Sequence, residues 1–195
     1  MKLSQNCKLL LAMPALTQDI FERSVVLIVH QQKEGILGLI LNKKTDINLK
    51  SLLSAQPLDQ YIKSGSIKTF ESINDRRVLF GGPVDHFFMW ALHENSHFFK
   101  SSQPVSDSLI FSHFSDLIFS AKKQGMPNIA EIGIGVSGWG DEQLQREIRE
   151  NSWWKLDYNL EELLSLKIET RWEKVLKSLG VDPDSFYDQD VRINQ

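Results

Sequence analysis

A single cysteine, Cys7, stands in a chain of 195 residues. No internal disulfide can form, so the fold must rest on burial, and a reducing cytoplasm suits it. Neither sign of charge dominates: 22 Lys and Arg stand against 25 Asp and Glu, a net charge of −3. That does not favour unspecific attraction to nucleic acid or anionic membrane overall. Long hydrophobic runs are also missing, and with them a helix able to span a bilayer. Lys2 and Lys8 around Leu9-Leu10-Leu11-Ala12-Met13 outline a signal peptide only faintly, because Pro14 interrupts the run and no small-x-small cleavage site follows. A strand entering the domain fits these residues better. Repeats, low-complexity tracts and linker-like stretches are absent, so residues 1–195 read as one domain, with 184–195 a polar surface tail.

What is present is ordinary for a globular protein: 42% hydrophobic and 24% charged residues, enough for a substantial core. Lys8–Ala12 reads as a strand. Val25–His30 is continuous and β-branched, and Ile36–Leu41 is a second apolar run after the Lys33-Glu34-Gly35 turn. Together they predict a buried hairpin. Asp46 is placed to cap a short helix carrying Leu49, Leu52 and Leu53. Residues 56–75, with Pro57 and Gly65, read as a loop or insertion with some helix near Leu58–Ile62. Val78–Phe80 predicts a strand running into Gly81-Gly82-Pro83. Phe87–His93 predicts another, with Phe98-Phe99 a candidate to pair with it. Helical spacing of Phe114, Leu117, Ile118 and Ala121 predicts a helix over Ser112–Gln124, stopped by Gly125 and Pro127. Two further helices are expected at Leu160–Leu166 and Glu169–Leu179, the second closed by Gly180.

The richest stretch is Glu131–Trp154, EIGIGVSGWGDEQLQREIRENSWW. Ile132, Ile134 and Val136 alternate with Gly133, Gly135 and Ser137, a strand whose glycines imply close approach to its backbone. Gly138-Trp139-Gly140 then predicts a turn able to reach positive φ. Asp141 or Gly140 caps a helix with Leu144 and Ile148 on one face, and Asn151-Ser152 unwinds it.

Several short motifs compete for a chemical reading. Gly133, Gly135 and Gly138 fit G-x-G-x-x-G, with Asp157 downstream, but the first two glycines alternate inside a strand and Trp139 follows the third. A structural strand–turn–helix fits better than a dinucleotide site. His93-Glu94-Asn95-Ser96-His97 spells the zincin pattern, yet Asn95-Ser96 signals a turn where a zincin needs a helix, so we expect a hairpin turn and no metal. Ser24 and Ser137 lie outside any nucleophile elbow, and Cys7 lacks an evident base. Arg146 and Arg149 share their helix with Glu142, Glu147 and Glu150, the pattern of a solvated face rather than a DNA-reading one.

The chain resembles the YqgE/AlgH family of bacterial proteins. The likeness rests on Ala12-Met13-Pro14 with Leu16, Phe21-Glu22-Arg23-Ser24-Val25-Val26, Gly38-Leu39-Ile40-Leu41-Asn42 and Phe80-Gly81-Gly82-Pro83-Val84. It continues through Gly138-Trp139-Gly140 with Gln143-Leu144, Glu147 and Asn151-Ser152-Trp153, then Arg171-Trp172 and Leu179-Gly180. Departures fall in 56–75 and at Asp85-His86-Phe87-Phe88. The resemblance implies a single α+β domain on a mixed, partly barrel-like sheet flanked by helices, in a cytosolic bacterial protein. The AlgH name implies a link to transcriptional regulation, and the family brings no established chemistry and no catalytic residues.

Residues and resemblance together suggest a non-catalytic binding or regulatory protein that acts indirectly on transcription. Its partner is an unknown protein or small ligand, and no cofactor or direct contact with nucleic acid or membrane is expected. The alternative is a small-ligand binder or enzyme that uses the glycine turns. Either way the candidate contacts are Gly81, Gly82, Pro83, Gly138, Trp139, Gly140 and Gln143, because backbone N–H groups freed at glycine turns can cradle a ligand. The two turns are expected to pack near each other.

Overall fold

The computed structural model describes residues 6–33, 35–54, 77–124 and 127–182. Within them the chain forms an α+β fold on a mixed sheet, organised as two compact units. The expectations for residues 56–75, for Gly125 and for the tail lie outside the described residues.

One unit comprises Asn6–Lys43 and the chain from Ser137 onward. Its strands are β1 (Asn6–Ala12), β2 (Val25–Gln32), β3 (Gly35–Ile40), the last residues of β9 (Ile129–Trp139) and β10 (Trp153–Asn159). They pair antiparallel in the order β10-β1-β2-β3-β9. Leu9, Leu10, Leu11 and Ala12 are consecutive and all fully buried. Side chains alternate across a strand, so such a run means that both faces of β1 are covered. The expected hairpin is present, with Val26 opposite Ile40 and Leu27 opposite Leu39. Asn42 closes its base: its Oδ1 accepts the Val25 N–H and its Nδ2 donates to the Arg23 carbonyl.

The helices of this unit are α3 (Asp141–Arg149), α4 (Leu160–Ser165) and α5 (Arg171–Ser178). Trp172 Nε1 donates to the Ala12 carbonyl, which fixes α5 on β1. Arg171 is buried, and its guanidinium donates to the carbonyls of Leu41 and Leu164. Gly180, at φ +78°, ends α5 as expected.

The other unit spans Lys44–Val136. It holds β4 (Lys44–Asn48), α1 (Leu49–Ser54), β5 (Arg77–Phe80), β6 (Val84–Glu94), β7 (Gln103–Pro104), β8 (Leu109–His113), α2 (Phe114–Gln124) and most of β9. The order β9-β6-β8-β7 is antiparallel, while β5 joins β9 in parallel and β4 joins β5. Its core includes Leu49, Val78, Met89, Ala91, Phe114, Leu117, Ile118, Ile132 and Ile134.

Four expectations need correction. Asp46 lies in β4, and Asn48 is the residue whose side chain caps α1, accepting the Ser51 N–H. Thr45 Oγ1 donates to the Val78 carbonyl, so a distant strand holds these residues extended. Ser112 and His113 are strand residues paired with Ala91 and Trp90, and the helix starts at Phe114. Phe98-Phe99 does not pair with β6, whose neighbours are β8 and β9. Trp153–Asn159 forms β10, seven residues in register with β1, where the sequence reading placed no strand.

Candidate functional site

The predicted corner at Gly138-Trp139-Gly140 is a strand end instead. Gly138 and Trp139 belong to β9 and pair with Leu37 and Ile36, and neither Gly138 nor Gly140 has positive φ. Pairing to β3 keeps the backbone extended where glycine alone suggested a bend. The chain leaves the sheet at Gly140, the N-cap of α3, with φ −68° and ψ 150°. Gln143 Oε1 reaches back to the Gly140 N–H, half of a capping box. Asp141 and Glu142 occupy the first turn, where the helix dipole favours carboxylates and the pair would repel an anion.

Trp139 is buried, with a second tryptophan against it. Its ring meets Trp153 edge-on at 5.7 Å between centroids, and Phe21 lies 5.6 Å from Trp139 and 5.4 Å from Trp153. Burying two indole N–H groups costs free energy unless both are bonded. Glu147 bonds both: its Oε2 accepts Trp139 Nε1 at 2.9 Å and Trp153 Nε1 at 2.8 Å. Its Oε1 accepts Gln143 Nε2 at 2.9 Å. One carboxylate on α3 thus ties the end of β9 to the start of β10. Helical spacing sets Glu147 one turn after Gln143, but nothing local in the sequence signals its bonds to Trp139 and Trp153.

Beside Trp139 lies an open groove of about 300 Å³, lined by His30, Gly35, Ile36, Leu37, Gly138 and Trp139. Gly138, Gly140 and Gln143 are exposed. His30 and Leu37 were not foreseen. They lie side by side there, directly opposite each other in the β2–β3 pairing, just past a shift of register between Ile28 and His30.

Gly81, Gly82 and Pro83 fall in the other unit, and each group is placed within its own. Gly81 and Gly82 are buried. The Gly81 N–H is bonded to the Ile134 carbonyl at 2.8 Å, so it cannot also serve a ligand. A Cβ at Gly81 would lie 2.2 Å from the Gly135 oxygen and 2.6 Å from Trp90 Nε1. The fully buried Trp90 explains these glycines: its ring covers Gly133 and its Nε1 donates to the Gly135 carbonyl at 2.9 Å. The G-x-G-x-x-G residues Gly133, Gly135 and Gly138 all lie within β9. Gly133 therefore records packing against an indole, and Gly135, at φ +74°, the close approach of the Gly82 carbonyl.

HENSH ends β6 and turns at Asn95-Ser96, as the turn signal suggested. The strand that returns is β8, so the pattern lacks the helix a zincin uses. His93 is buried, with Nδ1 at 2.8 Å from the Glu94 carbonyl and Nε2 at 2.9 Å from Ser112 Oγ. No cluster of three metal-ligating side chains occurs among the described residues. Cys7 is a free, buried thiol, pushed up to about 12 by desolvation, which leaves it inert as a nucleophile. No described helix is long and apolar enough to cross a membrane.

Residues 9–184 match the model of a family described as AlgH-like. A UPF0301 protein of Shewanella loihica is 33% identical over 89% of this chain and 90% of its own. One from Vibrio parahaemolyticus is 30% identical, covering 89% and 91%. Among solved structures, the AlgH protein of Pseudomonas aeruginosa superposes with a TM-score of 0.69 at 24% identity, over 93% of this chain and 92% of that one. A protein of Corynebacterium diphtheriae gives 0.64 at 14% identity, over 91% and 87%. At those identities the structural likeness speaks for the fold alone.

Proposed function

The chain belongs to the AlgH-like family, and from that premise we propose that it is a non-catalytic binding protein of the bacterial cytoplasm, regulating through a protein partner. The groove beside Trp139 carries this reading. It is open and mostly apolar, and His30 is the one ionisable group among the six described residues that line it. Acid–base or nucleophilic chemistry wants several polar groups converging on one point. An apolar trough over a platform held still by Glu147 suits a protruding apolar side chain of another protein, and exposed Gln143, bonded to the same Glu147, offers a polar contact beside it. The contacts proposed are His30, Leu37, Gly138, Trp139, Gly140 and Gln143. Any influence on transcription then passes through that partner, in keeping with a net charge of −3. The free Cys7 suits the reducing compartment.

A photo-crosslinking residue in place of exposed Gln143 tests this in living bacteria. The expected result is a discrete protein adduct, lost with Leu37→Glu in a variant whose melting temperature shows that it folds. A small molecule retained stoichiometrically in place of a protein adduct would overturn the reading. So would turnover of a metabolite by the purified chain that Leu37→Glu abolishes.

A further inference from the structure

His93 sits in β6 without solvent exposure, and its ring is bonded at both nitrogens. The partner of Nδ1 is the Glu94 carbonyl oxygen, which only accepts, so the ring proton sits on Nδ1. Nε2 must then accept from the Ser112 hydroxyl at 2.9 Å. Ser112 Oγ has spent its proton and accepts from the Ser102 hydroxyl at 2.8 Å. Ser102 Oγ in turn accepts the Phe99 N–H at 2.7 Å. Three bonds therefore run in one direction, from the loop of residues 97–102 into the His93 ring, and a fourth leaves the ring for the Glu94 carbonyl. The loop also leans on that ring: Phe99 meets it edge-on at 5.5 Å, and His97 stacks on Phe99 at 6.3 Å.

We infer that His93 is an acid-sensitive latch on loop 97–102, and that protonation at Nε2 reverses the hydrogen-bond chain and frees Phe99 together with the already exposed Phe98. The reversal follows from donor counting. A protonated Nε2 donates to Ser112 Oγ, so the Ser112 hydroxyl must turn toward Ser102. Ser102 Oγ then receives both Ser112 and the Phe99 N–H, and its own proton loses its acceptor in the chain. Ser102 is only half-buried, so its proton must turn out toward water, and the loop that carries it moves with that turn.

Charges on the surrounding elements agree in direction. Burial lowers the His93 pKa from its ordinary 6.5, opposed by the bond to the Glu94 carbonyl, and His97 across the loop lowers it further. Nearby carboxylates are engaged elsewhere: Glu94 accepts from Asn128, and Asp116 of α2 accepts the Ser101 N–H. Glu131 of β9 stands opposite Leu92 and has an interaction of its own. The folded pKa lies below the unfolded one. The latch is therefore fully closed above about 6.5 and is lost as pH falls through the lower folded value, by linkage. The device goes beyond partner binding at the groove, since it governs when an aromatic pair on the other unit becomes available.

Nitrogen-resolved NMR of the full chain, with amide exchange from pH 7.5 to 5, tests the inference. At pH 7.5 His93 should be the neutral Nδ1–H tautomer. Below 6.5 the Phe99 protection factor should drop by up to tenfold per pH unit, while Leu27 and Ile40 amides hold. Ser112→Ala should leave Phe99 weakly protected at every pH. An Nε2–H tautomer would overturn the latch, as would Phe99 protection that stays flat while His93 titrates. A drop shared equally by Leu27 and Ile40 would also overturn it, because it would mean global acid unfolding. If Ser112→Ala does not fold, the wild-type data alone decide.

Discussion

At Glu147, three donors converge on one carboxylate: two buried indoles and the Gln143 amide. Hydrogen bonds to a charged group are worth about 1.5–3 kcal/mol each, and a buried donor left without a partner forfeits a similar amount. Glu147→Ala strands both indole N–H groups, so we expect a loss on the order of 3 kcal/mol in urea denaturation. A shifted tryptophan emission should accompany it. Glu147→Gln retains a carbonyl acceptor and should lose roughly half as much. Trp139→Phe removes one donor and should weaken the effect of a second change at Glu147, since the two share an interaction. The sequence placed Trp139 in a glycine turn among the candidate contacts, and the ring is buried. It left Glu147 among the solvated charges of α3, because composition on a helix face cannot reveal partners on two different strands.

Among the secondary elements, β9 shows how packing overrules local preference. Its glycines read as a turn signal at Gly138–Gly140 and as close-approach sites at Gly133 and Gly135. Only the second reading describes the strand, and the causes are the Trp90 ring at Gly133 and the Gly82 carbonyl at Gly135. A Cβ on Gly133 would fall 2.0 Å from the Trp90 ring, whereas one on Gly140 meets nothing nearer than Gln143 Cβ at 3.9 Å. Gly133→Ala should therefore cost several kcal/mol or prevent folding, since neither a fully buried indole nor a paired strand can yield. Gly140→Ala should cost about 1 kcal/mol, the preference for Gly over Ala at an N-cap. Chemical denaturation of the two variants side by side checks the contrast. The same logic separates the legible elements from the others. Strands β1, β2, β3 and β5 and helices α2, α3 and α5 announce themselves by apolar period. Strands β4 and β10 carry alternating polar residues such as Lys44, Asp46, Lys155 and Asp157 and stay extended because β5 and β1 lie beside them.

For the molecule as a whole, fold class and family were legible, because ordered motifs from Ala12 to Gly180 bind the sequence to its relatives over residues 9–184. Function was legible only as far as net charge and the scarcity of converging polar side chains allow. Charge gives the last prediction. Duplex DNA draws proteins mainly through phosphate contacts, each adding a slope of about 0.9 to the dependence of log affinity on log salt. A chain with charge −3, whose α3 carries Asp141, Glu142, Glu147 and Glu150 along with Arg146 and Arg149, offers few such contacts. The cations of α3 sit in its last turn, where they favour the helix dipole. Fluorescence anisotropy with random and promoter duplexes should therefore give affinities no tighter than ~10⁻⁴–10⁻⁶ M at physiological salt, the range of unspecific binding. It should also give a salt slope of only a few units and no preference among sequences. Nanomolar, sequence-dependent binding with a steep slope would require a basic face that the sequence does not supply, and would move the regulatory step from a partner protein to DNA itself.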